Sequence, residues 1–543
     1  MSQTPSIGTY EEALADFNWE PPEKYNFARD VIDRWAASDA NKLAIKWVDD
    51  EANEKDITFL ELSSRSRKLC NALADTGVKR GDTVVLMLGR NVEWWEILTA
   101  CIRMGVICSP GTTQLSPKDI SYRMNAAEAV CFITDNENAP KLEEVASDCL
   151  TMKASILVGG EREGWLSYSS IVDSQNDVFE CADTLFDEDA LCYFTSGTTG
   201  YPKMTIHCHG YGMAHKITGK YWLDLKPDDL HWNISDTGWA KAAYSSYFGP
   251  WNQGAALFVH HSATFDPIKS LDLLAHYPIT TMCGAPTIYR MLVLQDLSGY
   301  TFPQLRHCVG AGEPLNPEVI ETWQKATGII VRDGYGQTET VLVCGNFPFS
   351  EPRFGSMGRP MPGMEMAIID EKGVPLPPGT EGDIAIKVSP KRAPGLFVEY
   401  RGDEDRFKAC FIGDWYITGD RGYVDLDGYY WFVSRADDVI LSAGYRIGPF
   451  EVESALIEHS DVAESAVVAS PDETRGAVVK AFVVLVPGVE GSVTLAEELK
   501  EHVKNVTAPY KYPRKIEFVE SLPKTVSGKI RRIELRDREN GAG

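Results

Sequence analysis

The chain has 543 residues, 24% of them charged and 44% hydrophobic, which is too long for one ordinary domain and long enough to bury a substantial core. Its formal net charge of −25 opposes nonspecific binding to nucleic acid or anionic membranes, so no nucleic-acid partner is expected and any phosphate ligand needs a local positive site. No apolar run approaches the roughly 20 residues of a membrane-spanning helix. The twelve cysteines form no C-x-x-C pair, which argues against a zinc or thioredoxin-like motif; Cys101, Cys192 and Cys308 sit among apolar residues and read as buried thiols. The first thirty residues are acidic and carry Pro21 and Pro22, without a secretory apolar core or the Arg-rich character of a mitochondrial leader, and point to the cytosol.

From about Asp30 to Leu191 short apolar strands alternate with amphipathic helices. Residues 83–88 read as a buried strand, followed by helical spacing over 91–104 with Asn91 as cap. Residues 129–134 and 154–158 are further strands, and the rhythm predicts a mostly parallel α/β sheet. The same alternation over 257–330 predicts a second such layer. After about Phe354 the texture changes to short strands and tight turns (Asp370–Glu371–Lys372–Gly373, Asp425–Leu426–Asp427–Gly428), a small β-rich unit. Near Ser434 a third texture begins, with smaller-scale strand–helix alternation and a Lys/Arg-rich stretch over 504–538. The expected fold is therefore α/β: a large N-terminal domain (1–434) of two sheet layers plus a β-rich unit, then a smaller, mobile α+β domain (435–543).

The strongest local signal is Thr195–Ser196–Gly197–Thr198–Thr199–Gly200–Tyr201–Pro202–Lys203. An apolar strand end runs into a loop of glycines and hydroxyls closed by a lysine, suited to backbone and hydroxyl contacts with phosphate oxygens. Its spacing is not that of the Walker loop. Gly310 and Gly312 form a G-x-G with no third glycine, so a dinucleotide fingerprint fails there. His207 and His209 alternate on one side of an expected strand, but with no third ligand in view they read as core or pocket-wall residues.

T-S-G-T-T-G-x-P-K resembles the signature loop of the acyl-adenylate-forming superfamily, and further signatures follow in order: Tyr335–Gly336–Gln337–Thr338–Glu339, Thr418–Gly419–Asp420, Ser434–Arg435–Ala436–Asp437–Asp438 and Val526–Ser527–Gly528–Lys529. Tyr335 can cover a purine, the Thr338 hydroxyl can donate to a phosphate, and Glu339 is a hard oxygen ligand suited to Mg²⁺. Asp420 can accept from ribose hydroxyls, with Arg435 close by. The resemblance implies nucleotide contacts also from Gly312, Glu313, Asp333 and Gly334, and makes Lys529 the lysine that stabilises charge developing during adenylation.

Ser235–Asp236–Thr237–Gly238–Trp239, Gly284–Ala285–Pro286–Thr287–Ile288–Tyr289–Arg290, Ser442–Ala443–Gly444–Tyr445–Arg446–Ile447–Gly448–Pro449 and Thr507–Ala508–Pro509–Tyr510–Lys511–Tyr512–Pro513–Arg514–Lys515 resemble the medium-chain acyl-CoA synthetase branch from about Asn18 onwards. Ser434 replaces the family's usual Gly and Ala443 its frequent Ser, both small-for-small changes. The resemblance implies ATP, Mg²⁺ and coenzyme A as reactants, and a small domain that rotates about Asp437, withdrawing Lys529 and presenting Gly444 to the pantetheine. Ala443, Tyr445, Arg446, Arg475 and Arg514 are the further coenzyme A candidates. Acetate-specific relatives carry Trp where Gly336 stands; loss of an indole leaves room for several methylenes at about 0.8 kcal/mol each, favouring a longer acid. Trp239, Lys241, Tyr244 and Gly310, with Tyr247 as a neighbour, are the acyl-pocket candidates. The expected reaction joins a short- or medium-chain acid to coenzyme A through an acyl-adenylate; an aromatic or branched acid, or transfer to a carrier-protein thiol, is the alternative. Nothing in the sequence chooses between a monomer and a homodimer.

Overall fold

The computed structural model describes residues 8–195, 202–435, 438–442, 445–472, 475–524 and 530–539. Two large sheets form the layers of the N-terminal part. One has eight strands in the order Glu399–Arg401, Lys203–Cys208, Asp189–Thr195, Ile107–Pro110, Thr83–Met87, Cys131–Asp135, Ala154–Val158 and Leu166–Ser167. The other has nine, running from Arg359–Pro360 through Leu342–Gly345, Val331–Gly336, His307–Ala311, Thr281–Gly284, Leu230–Ile234, Ala256–His261 and Leu43–Asp49 to Glu54–Thr58. Their interiors are parallel; the nine-stranded sheet is antiparallel at both edges, and the eight-stranded one at its Glu399–Arg401 edge, while Leu166–Ser167 pairs in parallel. Strands buried on both faces read as continuous apolar runs, and Thr83–Met87 is buried at every position.

Helix Val92–Met104 is buried at every residue but Glu93's turn position, so it is enclosed by packing on all sides and not a surface helix. Asn91 occupies the cap with extended backbone, as expected, but its side chain makes no capping bond. Gly105 ends the helix at φ 70°, where a Cβ would be strained. The hairpin Leu43–Asp49/Glu54–Thr58 departs from the order in sequence: it lies outside the sheet of strands Thr83–Met87 to Ala154–Val158, and Leu43–Asp49 pairs in parallel with Ala256–His261 (Ile45 opposite Leu257). The first α/β run therefore contributes to both layers.

The β-rich unit is a five-stranded antiparallel sheet of Met366–Ile369, Gly382–Lys387, Trp415–Val424, Phe411–Ile412 and Tyr430–Arg435. The C-terminal α+β unit has a three-stranded sheet (Val462–Asp472, Gly476–Leu485, Lys515–Phe518) under helices Pro449–Ile457 and Val493–Val506, with Val452, Leu456, Val467, Val483 and Leu499 as its core. Among the described residues no helix is long and apolar enough to cross a membrane, and nine of the twelve thiols are buried.

Candidate active site

The ends of five elements meet at a cleft of about 1060 Å³. Strand Asp189–Thr195 brings Thr195, Lys203 starts the antiparallel return, strand His307–Ala311 leads into Gly312 and Glu313, and Val331–Gly336 delivers Asp333 to Gly336. The turn that follows carries Gln337, Thr338 and Glu339, and the β-rich sheet adds Thr418, Asp420 and Arg435. Parallel strands place their C-terminal ends at one edge, which is where a ligand crevice forms in α/β sheets.

Asp420 and Arg435 face each other in register on adjacent antiparallel strands. The Asp420 carboxylate accepts from Gln337 Nε2 at 2.8 Å and from the Tyr335 hydroxyl. Gln337 also donates to Thr418 O at 2.8 Å and accepts from Tyr416 at 3.2 Å, which fixes its amide. Gly419, at φ 76°, kinks the strand that carries Asp420. Two motifs separated in sequence thus share one hydrogen-bond network, with a third, at Arg435, in register beside it.

Glu339 is 9% exposed. Tyr400 donates to its Oε1 at 2.6 Å, Lys203 Nζ approaches the same oxygen at 3.4 Å, and Lys203 donates to the Tyr400 hydroxyl at 3.0 Å. Burial and the adjacent carboxylate raise the Tyr400 phenol well above its usual range, so it stays a donor. His207 Nε2 donates to Thr338 O at 2.6 Å and holds the turn from behind. Burial lowers the imidazoles of His207 and His209 to about 4, so both are neutral near pH 7. His209 lies past the strand, which ends at Cys208, and caps helix Gly210–Ile217. Among the described residues no group of three His, Cys, Asp or Glu could hold a metal by itself. One carboxylate beside a phosphate-sized cleft is the donor set that suits Mg²⁺ arriving with phosphates and water.

Asp333 is 4% exposed and accepts from Leu315 N–H at 3.2 Å and Gly334 N–H at 2.9 Å. Burial outweighs these bonds and pushes its carboxyl up to about 8. Between the ordinary carboxylate value and pH ~8 the folded protein keeps a proton there that the unfolded chain has lost, so stability falls as pH rises through this window and levels off above it. Asp333→Asn should remove that contribution: its drop in Tm between pH ~5 and ~8.5 becomes smaller than that of the unsubstituted protein by calorimetry. An equal drop would show that Asp333 ionises as an ordinary carboxylate.

Thr195, Lys203, Gly312, Glu313, Asp333, Gly334, Tyr335, Gly336, Gln337, Thr338, Glu339, Asp420 and Arg435 all line the cleft. Ser196, Gly197, Thr198, Thr199, Gly200, Asp437, Ala443, Gly444 and Lys529 lie outside the described residues, as does the side chain of Arg446. The ends that bracket Lys529 are described: Lys524 and Ile530 form an antiparallel bridge, and both line the cleft.

The acyl-pocket candidates other than Gly336 are not part of this lining. Lys241 Nζ bonds Ala311 O and adjoins the cleft at its Gly312 edge, and Tyr244 packs between Trp222 and His215. Tyr247 is a core residue, fully buried with its hydroxyl 2.8 Å from Thr99. Gly336 does not open onto empty space in every direction: a Cβ there would lie 2.8 Å from Val341 O, so backbone occupies part of what an indole would need. Of the coenzyme A candidates, Tyr445 stacks on Tyr510 with centroids 4.4 Å apart. Arg514 donates to the Tyr512 hydroxyl at 2.8 Å, and the backbone N–H of Arg475 to Asp472 at 2.9 Å. Arg475 and Arg514 are absent from the cleft lining.

Tyr400, Tyr416 and Arg290 are cleft residues that motif reading missed. Arg290 binds Glu313 at 2.9 Å. It stands in a quoted family stretch, but no local pattern marks a lone Arg or Tyr as a site residue.

The fold and cleft define an adenylate-forming enzyme. The AMP-binding enzyme family matches residues 32–397 and the AMP-binding enzyme C-terminal domain matches 451–529. The chain belongs to the AMP-binding enzyme family. It is 50% identical to the mitochondrial acyl-coenzyme A synthetase ACSM3 of Mus musculus over 544 residues, 98% of this chain and 94% of that protein. Against the mitochondrial acyl-coenzyme A synthetase ACSM4 of Homo sapiens it is 49% identical, covering 97% and 93%. Among solved structures, the anthranilate CoA ligase AuaEII in complex with anthranoyl-AMP superposes with a TM-score of 0.89 at 31% identity, covering 96% and 98%. The acyl-CoA synthetase of Brucella canis does so with 0.76 at 35%, covering 99% and 100%. The cytosolic expectation is overturned, since these mammalian relatives are named mitochondrial. The composition of thirty N-terminal residues was a poor guide because compartment is set by a receptor-read address and not by the folded enzyme.

Proposed function

We infer that this enzyme is an AMP-forming acyl-CoA synthetase, an acid–thiol ligase that uses ATP, Mg²⁺ and coenzyme A. The carboxylate oxygen of the acid attacks the α-phosphorus of ATP, the bond to the β-phosphate oxygen breaks, and pyrophosphate leaves. The coenzyme A thiol then attacks the acyl carbon, and AMP leaves. The observation that carries this is the single network from Tyr335 through Gln337 to Asp420, set beside the Lys203–Tyr400–Glu339 group at one cleft.

In this reading Thr195 to Lys203 hold the phosphates, Tyr335 covers the adenine and Asp420 with Arg435 takes the ribose. Glu339 ligates Mg²⁺, which neutralises phosphate charge. Residues 1–434 bind MgATP and the acid, with Arg435 at the boundary, and 435–543 carry Gly444 and Lys529. That division is supported by the two family matches falling on either side of it, and the role of Lys529 by the cleft positions of Lys524 and Ile530. Positioning and charge stabilisation supply most of the catalysis.

The acid is a monocarboxylate longer than acetate, of short or medium chain. A panel from acetate to decanoate with isobutyrate and benzoate tests this, with AMP and acyl-CoA quantified together. The expected result is equal AMP and acyl-CoA, with a maximum beyond acetate. Benzoate as best substrate would favour an aromatic acid, the kind handled by the AuaEII ligase. Pyrophosphate exchange without acyl-CoA would move the acceptor to a protein thiol.

Gly444 is assigned to the pantetheine tunnel. Gly444→Leu should lower thioester formation from synthetic acyl-adenylate by about 10²-fold while sparing acid-dependent pyrophosphate exchange, because the added side chain would obstruct the thiol's path. Normal thioester formation would refute the assignment.

A further inference from the structure

We propose that Arg532 is a positioning residue for adenylation: its ion pair with Glu453 is the strut that fixes, at the cleft, the start of the helix that follows Lys529 in sequence. The inference rests on the assignment of Lys529 to adenylation.

Arg532 opens helix Arg532–Glu539, three residues after Lys529. Its guanidinium engages Glu453 in a fork, with Nη2 2.7 Å from Oε2 and 2.9 Å from Oε1, and Nε 3.1 Å from Oε1. Glu453 is 4% exposed, sits on helix Pro449–Ile457, and also accepts from Val467 N–H at 2.8 Å. The acid is therefore locked to both its own helix and the edge strand Val462–Asp472 of its unit. Both residues of the pair line the cleft.

On the N-terminal side of Lys529 the described chain is held more weakly, at Lys524. Lys524 pairs with Glu464 at 2.7 Å, but the two side chains are 31% and 24% exposed, and exposed pairs of this kind contribute little. A forked arginine–carboxylate contact with a buried acid sets direction as well as distance. Leu535 packs with Val468, Phe482 and Leu522 and anchors the helix body. At the helix start, nearest Ile530, the rotation of the helix and so the direction of the chain is set by Arg532, with Arg536 one turn further on. Arg536 binds Asp438, and Arg532 approaches the same carboxylate at 3.9 Å, tying the helix to the residue beside Asp437.

Asp438, Glu453, Arg532 and Arg536 all follow Asp437 in sequence. If the C-terminal unit turns about that residue, the strut turns with it. It is then needed when Lys529 is at the cleft and idle when coenzyme A reacts. A merely structural arginine would affect both half-reactions alike.

Four variants test this: Arg532→Lys keeps the charge but not the fork, Arg532→Met removes both, Glu453→Gln keeps the bond to Val467, and Lys529→Ala is the control. Adenylation is read as acid-dependent pyrophosphate exchange and thioester formation is read from synthetic acyl-adenylate. Arg532→Met should lower the kcat of adenylation by about 10²-fold with the KM for ATP nearly unchanged, the scale expected for a catalytic group displaced by about an ångström. Arg532→Lys and Glu453→Gln should fall between it and the unsubstituted enzyme, and thioester formation should persist in all three. Added to Lys529→Ala, Arg532→Met should cost nothing further, since residues acting as one unit are non-additive. Parallel loss of both half-reactions in Arg532→Lys and Glu453→Gln, unchanged adenylation in Arg532→Met, or additive losses in the double variant would each overturn the strut. Lys529→Ala with intact adenylation would instead remove the reading on which it stands.

Discussion

Lys529→Ala is expected to reduce acid-dependent pyrophosphate exchange by about 10²–10³-fold, the range for loss of one preorganised charge at a developing anion. In the attack on α-phosphorus, negative charge gathers on the pentacoordinate centre and the departing pyrophosphate. Within a cleft partly screened from water, a point cation is worth more there than in bulk solvent. Lys524 and Ile530, the described residues on either side of Lys529 in sequence, both line the cleft. Thioester formation from synthetic acyl-adenylate has already passed the charged step and should be largely retained. Equal loss in both half-reactions would show that the substitution damages the fold or that Lys529 serves the thiol step too.

A second large effect is expected at Glu339. Glu339→Gln retains the shape and still accepts from the Tyr400 hydroxyl, but it removes the charge that faces Lys203 at 3.4 Å. Two consequences follow from that one change. A hard anionic ligand is lost, so the Mg²⁺ concentration for half-maximal adenylation rises. Lys203 loses its carboxylate partner and, among the described residues, keeps the Tyr400 phenol. Adenylation should fall by about 10²-fold, with thioester formation less affected. Tyr400→Phe separates the contributions, since it deletes the bonds to Glu339 and from Lys203 but no charge; a loss of about 10- to 30-fold corresponds to two bonds of about 1 kcal/mol each. If Glu339→Gln keeps the original Mg²⁺ dependence, the carboxylate is a structural partner of Lys203 and not a metal ligand.

The loop over 195–203, the Tyr335 to Glu339 turn, Asp420 and Lys529 stand in contiguous or nearly contiguous motifs, and the role proposed for each is suggested by neighbours in the chain. Thr83–Met87 and Ala154–Val158 were equally legible, because a run buried on both faces announces itself in composition. The amino-acid sequence by itself therefore determined the α/β class, the change to a β-rich unit and the reaction type.

Pairing between distant strands was decided only in three dimensions. Leu43–Asp49 has the same apolar character as its neighbours, and nothing local distinguishes Ala256–His261 as its partner. The same holds within the cleft. Tyr400 reaches Glu339 across 61 positions and Arg532 reaches Glu453 across 79, and each is an unremarked residue in its own stretch. A buried carboxylate must find a donor, but which donor it finds depends on which elements pack together. The pH-shifted Asp333 is of the same kind: its burial, which raises the carboxyl, arises from packing that surrounds it and not from its position in the motif.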